Sequence, residues 1–350
     1  MPRQQNDGFN HQRVRLPTSL DVAALAKVSQ STVSRALRGS SSIGPETHER
    51  VARIAAQLGY QPDSRAVRLR DGSVRAIAVI LLFPQNEERQ SLNPFYYDIV
   101  SAVEAAATRH GIGVLLSGQS DSSSLRVDFV QRREADGMIV IGTASNRVGW
   151  NFFVRAHREG ANIVGWGAPN DSLPTIRADN RSAGELAAAH LISSGRRRLA
   201  FVGPDWQRHH AFYLRREGFL AELARQGLRG HSLDLVPSST DRAEQGEALI
   251  KNLLANAGDI DGVFAASDVL AAGVMRGLSH SGRHVPGDVA VVGFDGGQGG
   301  RHYSPPLTTI EQDVSEAGEL LLRFVLAGRA SRGVQESQTV PIRLAIRQSG

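Results

Sequence analysis

Apolar residues recur at helical spacing three times within the first sixty positions. Val22, Ala23, Leu25 and Ala26 form one set behind Thr18-Ser19-Leu20-Asp21, where a threonine three residues ahead of an acid offers a capping box. Ser29 can cap a second helix over Gln30 to Arg38, with Val33, Ala36 and Leu37 inward and Gln30, Ser31, Ser34, Arg35 and Arg38 outward. Gly39 and the serines at 40 to 42 end it. Gly44-Pro45-Glu46-Thr47 opens a third helix carrying Val51, Ile54, Ala55 and Leu58 on one face, with Gly59 as its stop. The pattern predicts one small all-helical unit.

From Ala76 the period changes. Ala76 to Phe83, Gly113 to Leu116, Gly137 to Ile141, Asn162 to Trp166, Leu199 to Val202, Gly262 to Ala266 and Val289 to Gly293 read as buried strands. Amphipathic stretches lie between most of them: Tyr97 to His110, Ser182 to Ser193, Arg215 to Gln226, Glu244 to Asn256 and Val269 to Ser281. Apolar strands that do not alternate, separated by helices, predict α/β architecture with parallel sheets covered on both faces.

Charge sharpens this division. Residues 1 to 73 hold eleven Arg or Lys against six acids, a net of +5, which equals the net charge of all 350 residues. The excess sits in the N-terminal fifth, the footprint of a nucleic-acid-binding module joined to a neutral domain. No cysteine is present, which excludes disulfides, zinc-thiolate sites and cysteine nucleophiles. The first 17 residues are basic and lack an apolar core, and no apolar run approaches bilayer length, so neither secretion nor a membrane partner is expected and the predicted location is the cytoplasm, at the nucleoid.

Two helices joined by a short turn, with polar residues outside the second, suit insertion into a major groove roughly 12 Å wide. Gln30, Ser31 and Arg35 are the candidates for base edges, Arg35 for a two-point contact to guanine, with Thr18, Thr32 and Ser34 beside them. A plain helical hairpin with a solvated face has the same periodicity.

The wording of this segment goes further than its period. Thr18 to Ala23, Val28 to Leu37, and Thr47 to Leu58 followed by Gly59-Tyr60-Gln61-Pro62-Asp63 resemble the headpiece of the LacI/GalR family of transcription regulators, and the resemblance runs from about residue 18 to 347. Lys27 departs from it, standing where the family usually has glycine in the turn. The resemblance implies a basic disordered arm at 1–17, a helix-turn-helix headpiece at 18–61 and a hinge helix at 62–73. In that hinge Ala66 and Leu69 match, and Leu69 would wedge into the minor groove. By its residues alone this segment reads as a polar linker with a spare hydrophobe.

Catalytic signatures are missing: there is no phosphate-binding loop, nucleophile elbow or His-Glu-x-x-His, and Gly293 to Gly300 lacks dinucleotide spacing. No enzyme activity, cofactor or metal is expected. The resemblance instead implies a two-lobed effector domain at 74–347, similar to periplasmic sugar-binding proteins, with three crossovers: a first lobe of about 74–178 and 312–330, a second of about 179–311 and 331–347. Asn93 to Tyr96, Ala178-Asp179-Asn180, Arg215 to Phe219, Ala266-Ser267-Asp268, Val285 to Asp295 and Pro306 to Asp313 carry this likeness. Carried over residue by residue, Arg215 and Asp295 become clamps on ligand hydroxyls, and Phe95 and Tyr96 wall residues, joined by His209, Ser267 and Gln312. Where many members have an acid, this chain has Trp166-Gly167-Ala168, and Trp166 offers a stacking face in its place. The partners implied are double-stranded operator DNA, a small carbohydrate effector and a second copy of the chain. A dimer is expected because the chain ends at Gly350 with no appended heptad helix. The implied role is repression of carbohydrate-utilisation genes; a non-sugar ligand, a protein corepressor, or a receptor with vestigial DNA binding stand as the other readings.

Overall fold

A computed structural model describes residues 17–60, 76–85, 92–169, 172–204, 209–232, 239, 241–256, 259–328 and 337–350. The chain divides into two compact units between Val74 and Arg75. Apart from Pro17, the expected arm at 1–17 lies outside the described residues, as does the expected hinge at 62–73 with Ala66 and Leu69.

In the first unit, α1 (Ser19–Ala26), α2 (Gln30–Leu37) and α3 (Pro45–Leu58) pack around Val22, Ala23, Ala26, Val33, Ala36, Val51 and Ala55. Each boundary has a chemical cause. Thr18 and Asp21 close a reciprocal capping box on α1, and Ser29 caps α2 by accepting from the Thr32 N–H. Pro45 stands in the first turn of α3, and Gly59, at φ 64°, ends it. Lys27 ends α1 at φ 53°, a left-handed conformation for which glycine is the cheaper residue. Leu25, expected inward, is instead 59% exposed, because at 100° per residue it falls outside the stripe formed by Val22, Ala23 and Ala26.

The second unit is built on two six-stranded sheets. One runs in the order β11 (Gln338–Val340), β5 (Thr175–Ala178), β4 (Ile163–Trp166), β3 (Met138–Gly142), β1 (Ala76–Leu82), β2 (Gly113–Gln119), with every pairing parallel. The other runs β12 (Ile342–Ala345), β10 (Thr308–Gln312), β9 (Ala290–Asp295), β8 (Gly262–Ala265), β6 (Leu199–Val202), β7 (His231–Ser232), parallel except where β12 lies antiparallel to β10. Helices α4 (Phe95–Arg109), α5 (Arg147–Arg158) and α10 (Val314–Ala327) pack in the first lobe. Helices α6 (Asn180–Ser193), α7 (His210–Arg225), α8 (Arg242–Asn256) and α9 (Asp268–His280) pack in the second.

The chain passes between lobes at Asp179, Asp313 and Pro341, and the last two passages are tied by the Asp313 N–H donating to the Pro341 carbonyl at 3.1 Å. The third passage therefore falls about ten residues beyond the expected position near 331, because Gln338–Val340 first adds a strand beside β5. A second correction concerns β2. It pairs only with β1, and Leu115 and Leu116 on this edge strand are 38% and 53% exposed, whereas a buried strand was expected.

Candidate DNA-reading surface and ligand cavity

The outer face of α2 carries the side chains expected at base edges. Gln30, Ser31 and Arg35 are exposed, and Thr32 and Ser34 are half-buried. Gln30 Nε2 donates to Ser19 Oγ at 2.8 Å, joining the start of α2 to α1. The Ser29 hydroxyl lies 2.8 Å from both Ser31 Oγ and Thr32 Oγ1. Arg35 is exposed and donates through Nε to the Ser31 carbonyl at 3.4 Å, a bond that does not use its two terminal nitrogens. Thr18 is occupied differently: its hydroxyl and its N–H both lie 2.7 Å from Asp21 Oδ2, so it is first a cap.

In the second unit a cavity of about 310 Å³ lies between the lobes. All eight residues expected of the effector site line it: Phe95, Tyr96 and Trp166 from the first lobe, His209, Arg215, Ser267 and Asp295 from the second, and Gln312 at a passage between them. Phe95 and Trp166 form a wall, their rings tilted with centroids 6.2 Å apart.

Arg215 is not at the start of its helix, as the periodicity suggests, but well inside α7, which begins five residues earlier at His210. Burial there is supported on every side. Its Nε donates to Asn180 Oδ1 at 2.8 Å, a terminal nitrogen donates to the Ala266 carbonyl, and the guanidinium carbon lies 3.4 Å from the Phe294 ring centroid. Desolvation lowers its pKa to about 10, and it stays charged at neutral pH.

Asp295 ends β9 at φ 125°, a region that disfavours side chains, followed by Gly296 at φ 77°. The turn is held from beneath: Asp268 Oδ2 accepts the Gly297 N–H at 2.9 Å, while its Oδ1 accepts the Thr309 hydroxyl at 2.6 Å. The Asp295 carboxylate accepts from Asn93 Nδ2 at 2.8 Å and from Gln312 Nε2 at 3.2 Å, so one carboxylate is bonded to the first lobe and to a passage residue. Burial pushes its pKa up to about 6, against the opposing pull of Arg215. Tyr96 is pushed up to about 12 by desolvation and then by Asp295, so its phenol remains a proton donor. His209 stacks on Phe212 at 5.0 Å and is driven down to about 3 by burial, then by Arg242, Arg215 and Arg147; it is a neutral acceptor. Ser267 is in part a helix cap, accepting the Leu270 N–H at 3.3 Å.

Sequence reasoning missed several lining groups. Asn93 and Asn180 stand inside stretches already singled out for the family likeness, and that membership was the available signal. Arg177, Arg242 and Gln245 also line the cavity and had no local signature, since their positions follow from β5 and from the start of α8. Among the described residues no cluster of His, Cys, Asp or Glu could hold a metal ion, and no helix is long and apolar enough to cross a membrane.

Comparison with known proteins agrees with both halves. Residues 18–63 match the bacterial regulatory proteins of the lacI family, and residues 188–350 match a periplasmic binding protein-like domain. The HTH-type transcriptional regulator CelR of Thermobifida fusca is 32% identical over 341 residues, covering 96% of this chain and 97% of the relative. A solved CelR–cellobiose complex superposes with a TM-score of 0.66 at 28% identity, over 95% of this chain and all of the other. The Lac repressor dimer bound to operator shares the fold, with a TM-score of 0.77 at 23% identity over 96% of this chain and 99% of the other. A helix-turn-helix unit and a two-lobed α/β unit matched end to end by these regulators make the chain a member of the LacI family of bacterial regulatory proteins.

Proposed function

We propose that this protein is a homodimeric repressor of carbohydrate-utilisation genes, which reads an operator with α2 and is released from it when a small sugar fills the cavity between its lobes. The carrying observation is that one cavity is lined by buried Arg215 and Asp295 from the second lobe and by the Phe95 and Trp166 rings from the first. A guanidinium and a carboxylate accommodate hydroxyl groups as acceptor and donor, and aromatic faces cover the apolar side of a sugar ring. That CelR has been solved with cellobiose supports a carbohydrate as the ligand class.

On this reading the protein works in the cytoplasm as a binding protein and not as an enzyme. Gln30, Ser31 and Arg35 read base edges, with Thr18, Thr32 and Ser34 beside them, and Leu69 from the hinge enters the minor groove. Exposed Leu115 and Leu116 on β2, with exposed Tyr97 on the same lobe, supply apolar surface for a second copy.

Operator binding with and without cellobiose and other small sugars, followed across salt concentrations, tests the proposal. Expected are a preferred fragment from the gene's own upstream region, a steep fall in affinity with salt, and weakening by one sugar. Equal affinity for the upstream fragment and random duplex, unmoved by any sugar, would refute it.

A further inference from the structure

The side chains of α2 assigned to base edges are held by different partners. Ser31 Oγ lies 2.8 Å from the Ser29 hydroxyl, and Arg35 Nε donates to the Ser31 carbonyl, so both are tied within α2 and its cap. Gln30 is tied elsewhere: its Nε2 donates at 2.8 Å to Ser19 Oγ, 11 residues back on α1. Each end of this bond is the first residue of its helix, Ser19 following the Thr18 cap and Gln30 following the Ser29 cap. In a helix-turn-helix the N-terminal residues of the second helix meet base edges while the first helix crosses the sugar-phosphate backbone. The bond therefore spans from the backbone-crossing helix to the base-reading one.

The chemistry of the amide gives that bond a consequence. A glutamine side chain has two N–H donors and one carbonyl acceptor. Ser19 takes one N–H; the remaining N–H and the carbonyl are the pair that reads adenine, the first donating to N7 and the second accepting from the N6 amino group. An unheld glutamine spreads over many rotamers, and ordering it on binding costs affinity. With Nε2 bonded to Ser19, that ordering is done in the folded headpiece. Guanine presents O6 where adenine presents its amino group, so the held amide would set acceptor against acceptor there. Turning the amide to escape breaks the bond to Ser19.

We infer that Ser19, on the helix outside the groove, is a positioning residue that fixes the Gln30 amide for adenine and so helps to set the operator sequence. This rests on the reading of α2 as the base-reading helix, and adds to it a residue from α1 and the identity of a base. A two-point glutamine–adenine contact discriminates by about 5- to 150-fold. The neutral hydrogen bond that favours the adenine pose is worth about 2- to 13-fold of this. Removing the Ser19 hydroxyl spares the fold, because the capping box on α1 is made by Thr18 and Asp21 and alanine is the better helix former.

Selection of duplexes from a library randomised over about 20 base pairs, room for two half-sites one helical turn apart, tests the inference with the full-length protein. Ser19→Ala, Ser19→Thr, Gln30→Ala and the Ser19→Ala/Gln30→Ala double variant would be compared with the parent, and melting temperatures would check folding. Affinities for operators changed at single positions put numbers on the preferences. Expected is a parent preference for adenine at one position of each half-site, erased by Gln30→Ala. Ser19→Ala should lower that preference about 2- to 13-fold and leave the other positions as they were, while Ser19→Thr, which keeps the hydroxyl, retains it. In the Gln30→Ala background Ser19→Ala should change nothing further, the signature of a residue that acts through another. A Gln30-dependent preference for a base other than adenine, or one that keeps its full strength in Ser19→Ala, overturns the Ser19 inference and leaves Gln30 reading a base. Preferences untouched by Gln30→Ala overturn the base-reading role of Gln30 and the inference with it.

Discussion

Gly184→Ala in α6 isolates the packing that sets Arg215. In an exposed helix interior this change stabilises by up to about 1 kcal/mol, because alanine is the better helix former. Here a Cβ at position 184 would lie 2.0 Å from the Arg215 carbonyl oxygen and 2.6 Å from the Phe219 nitrogen. Both are main-chain atoms of α7, so no side chain can rotate aside and the two helices must separate by about 1 Å to reach an ordinary contact. Overpacking of this kind costs about 1–3 kcal/mol, which outweighs the propensity gain. The displaced residue is also the one whose guanidinium bonds Asn180 on α6, so its aim into the cavity shifts with the helix. Thermal unfolding should show a melting temperature lower by roughly 2–8 °C, at about 2–4 °C per kcal/mol for domains of this size. Titration with whichever sugar weakens operator binding should show affinity reduced about tenfold. A melting temperature equal to or above the parent's, with sugar affinity intact, would refute the close-contact argument.

Four further outcomes follow from the same geometry. Arg35→Ala should weaken operator binding about 5- to 150-fold, the worth of one two-point base contact, while affinity for random duplex changes little; a gel-shift comparison of the two DNAs reads it. Asp295→Ala should leave operator affinity intact and abolish its response to sugar in the same assay. Thr18→Ala removes the side-chain half of the α1 capping box and should destabilise the headpiece by about 0.5–2 kcal/mol in denaturant unfolding. Asp268 and Asp295 have folded pKa values raised above the ordinary 3.8, to about 8 and about 6, chiefly by burial. The stability they contribute is full below about pH 3.8 and is lost as pH rises through 6 and then 8. The melting temperature of the unliganded protein should therefore fall on their account between about pH 4 and 8, and Asp268→Asn should flatten the upper part of that fall.

Much of this was legible in the sequence wherever local chemistry decides local structure. Thr18, Ser29, Pro45 and Gly59 marked the helix ends of the headpiece because caps act within one turn. Strands such as Leu199–Val202 were legible because a strand buried on both faces is apolar throughout. The edge strand β2 was misread for a related reason: Gly-Val-Leu-Leu has the composition of a buried strand, and only the pairing order puts it at the rim. The passage at Pro341 was misplaced because Gln338–Val340, half polar, becomes a strand through its register with Ile176–Ala178 and not through its own pattern. The expected cavity residues were named through the family resemblance and not from local pattern, whereas Arg177 and Arg242 come to line the same cavity only through folding.

How much the cavity can do follows from magnitudes. Asp295 is bonded at once to Asn93 on one lobe and to Gln312 at a passage, so any ligand taking its carboxylate competes with a bond that already bridges the cleft. A hydrogen bond to a charged group contributes about 1.5–3 kcal/mol. Moving a two-state equilibrium from 1:99 to 99:1 requires about 5.5 kcal/mol of differential affinity. Exchanging one such bond for another is therefore too small to switch the protein. An effective ligand has to add contacts on both sides, to the Phe95 and Trp166 wall as well as to Arg215, and do so in only one arrangement of the lobes. This suits a site whose Phe95 and Trp166 wall stands on one lobe and whose Arg215 and Asp295 stand on the other, and it sets a condition that sugars binding one lobe alone would fail: they could occupy the cavity and leave operator affinity unchanged.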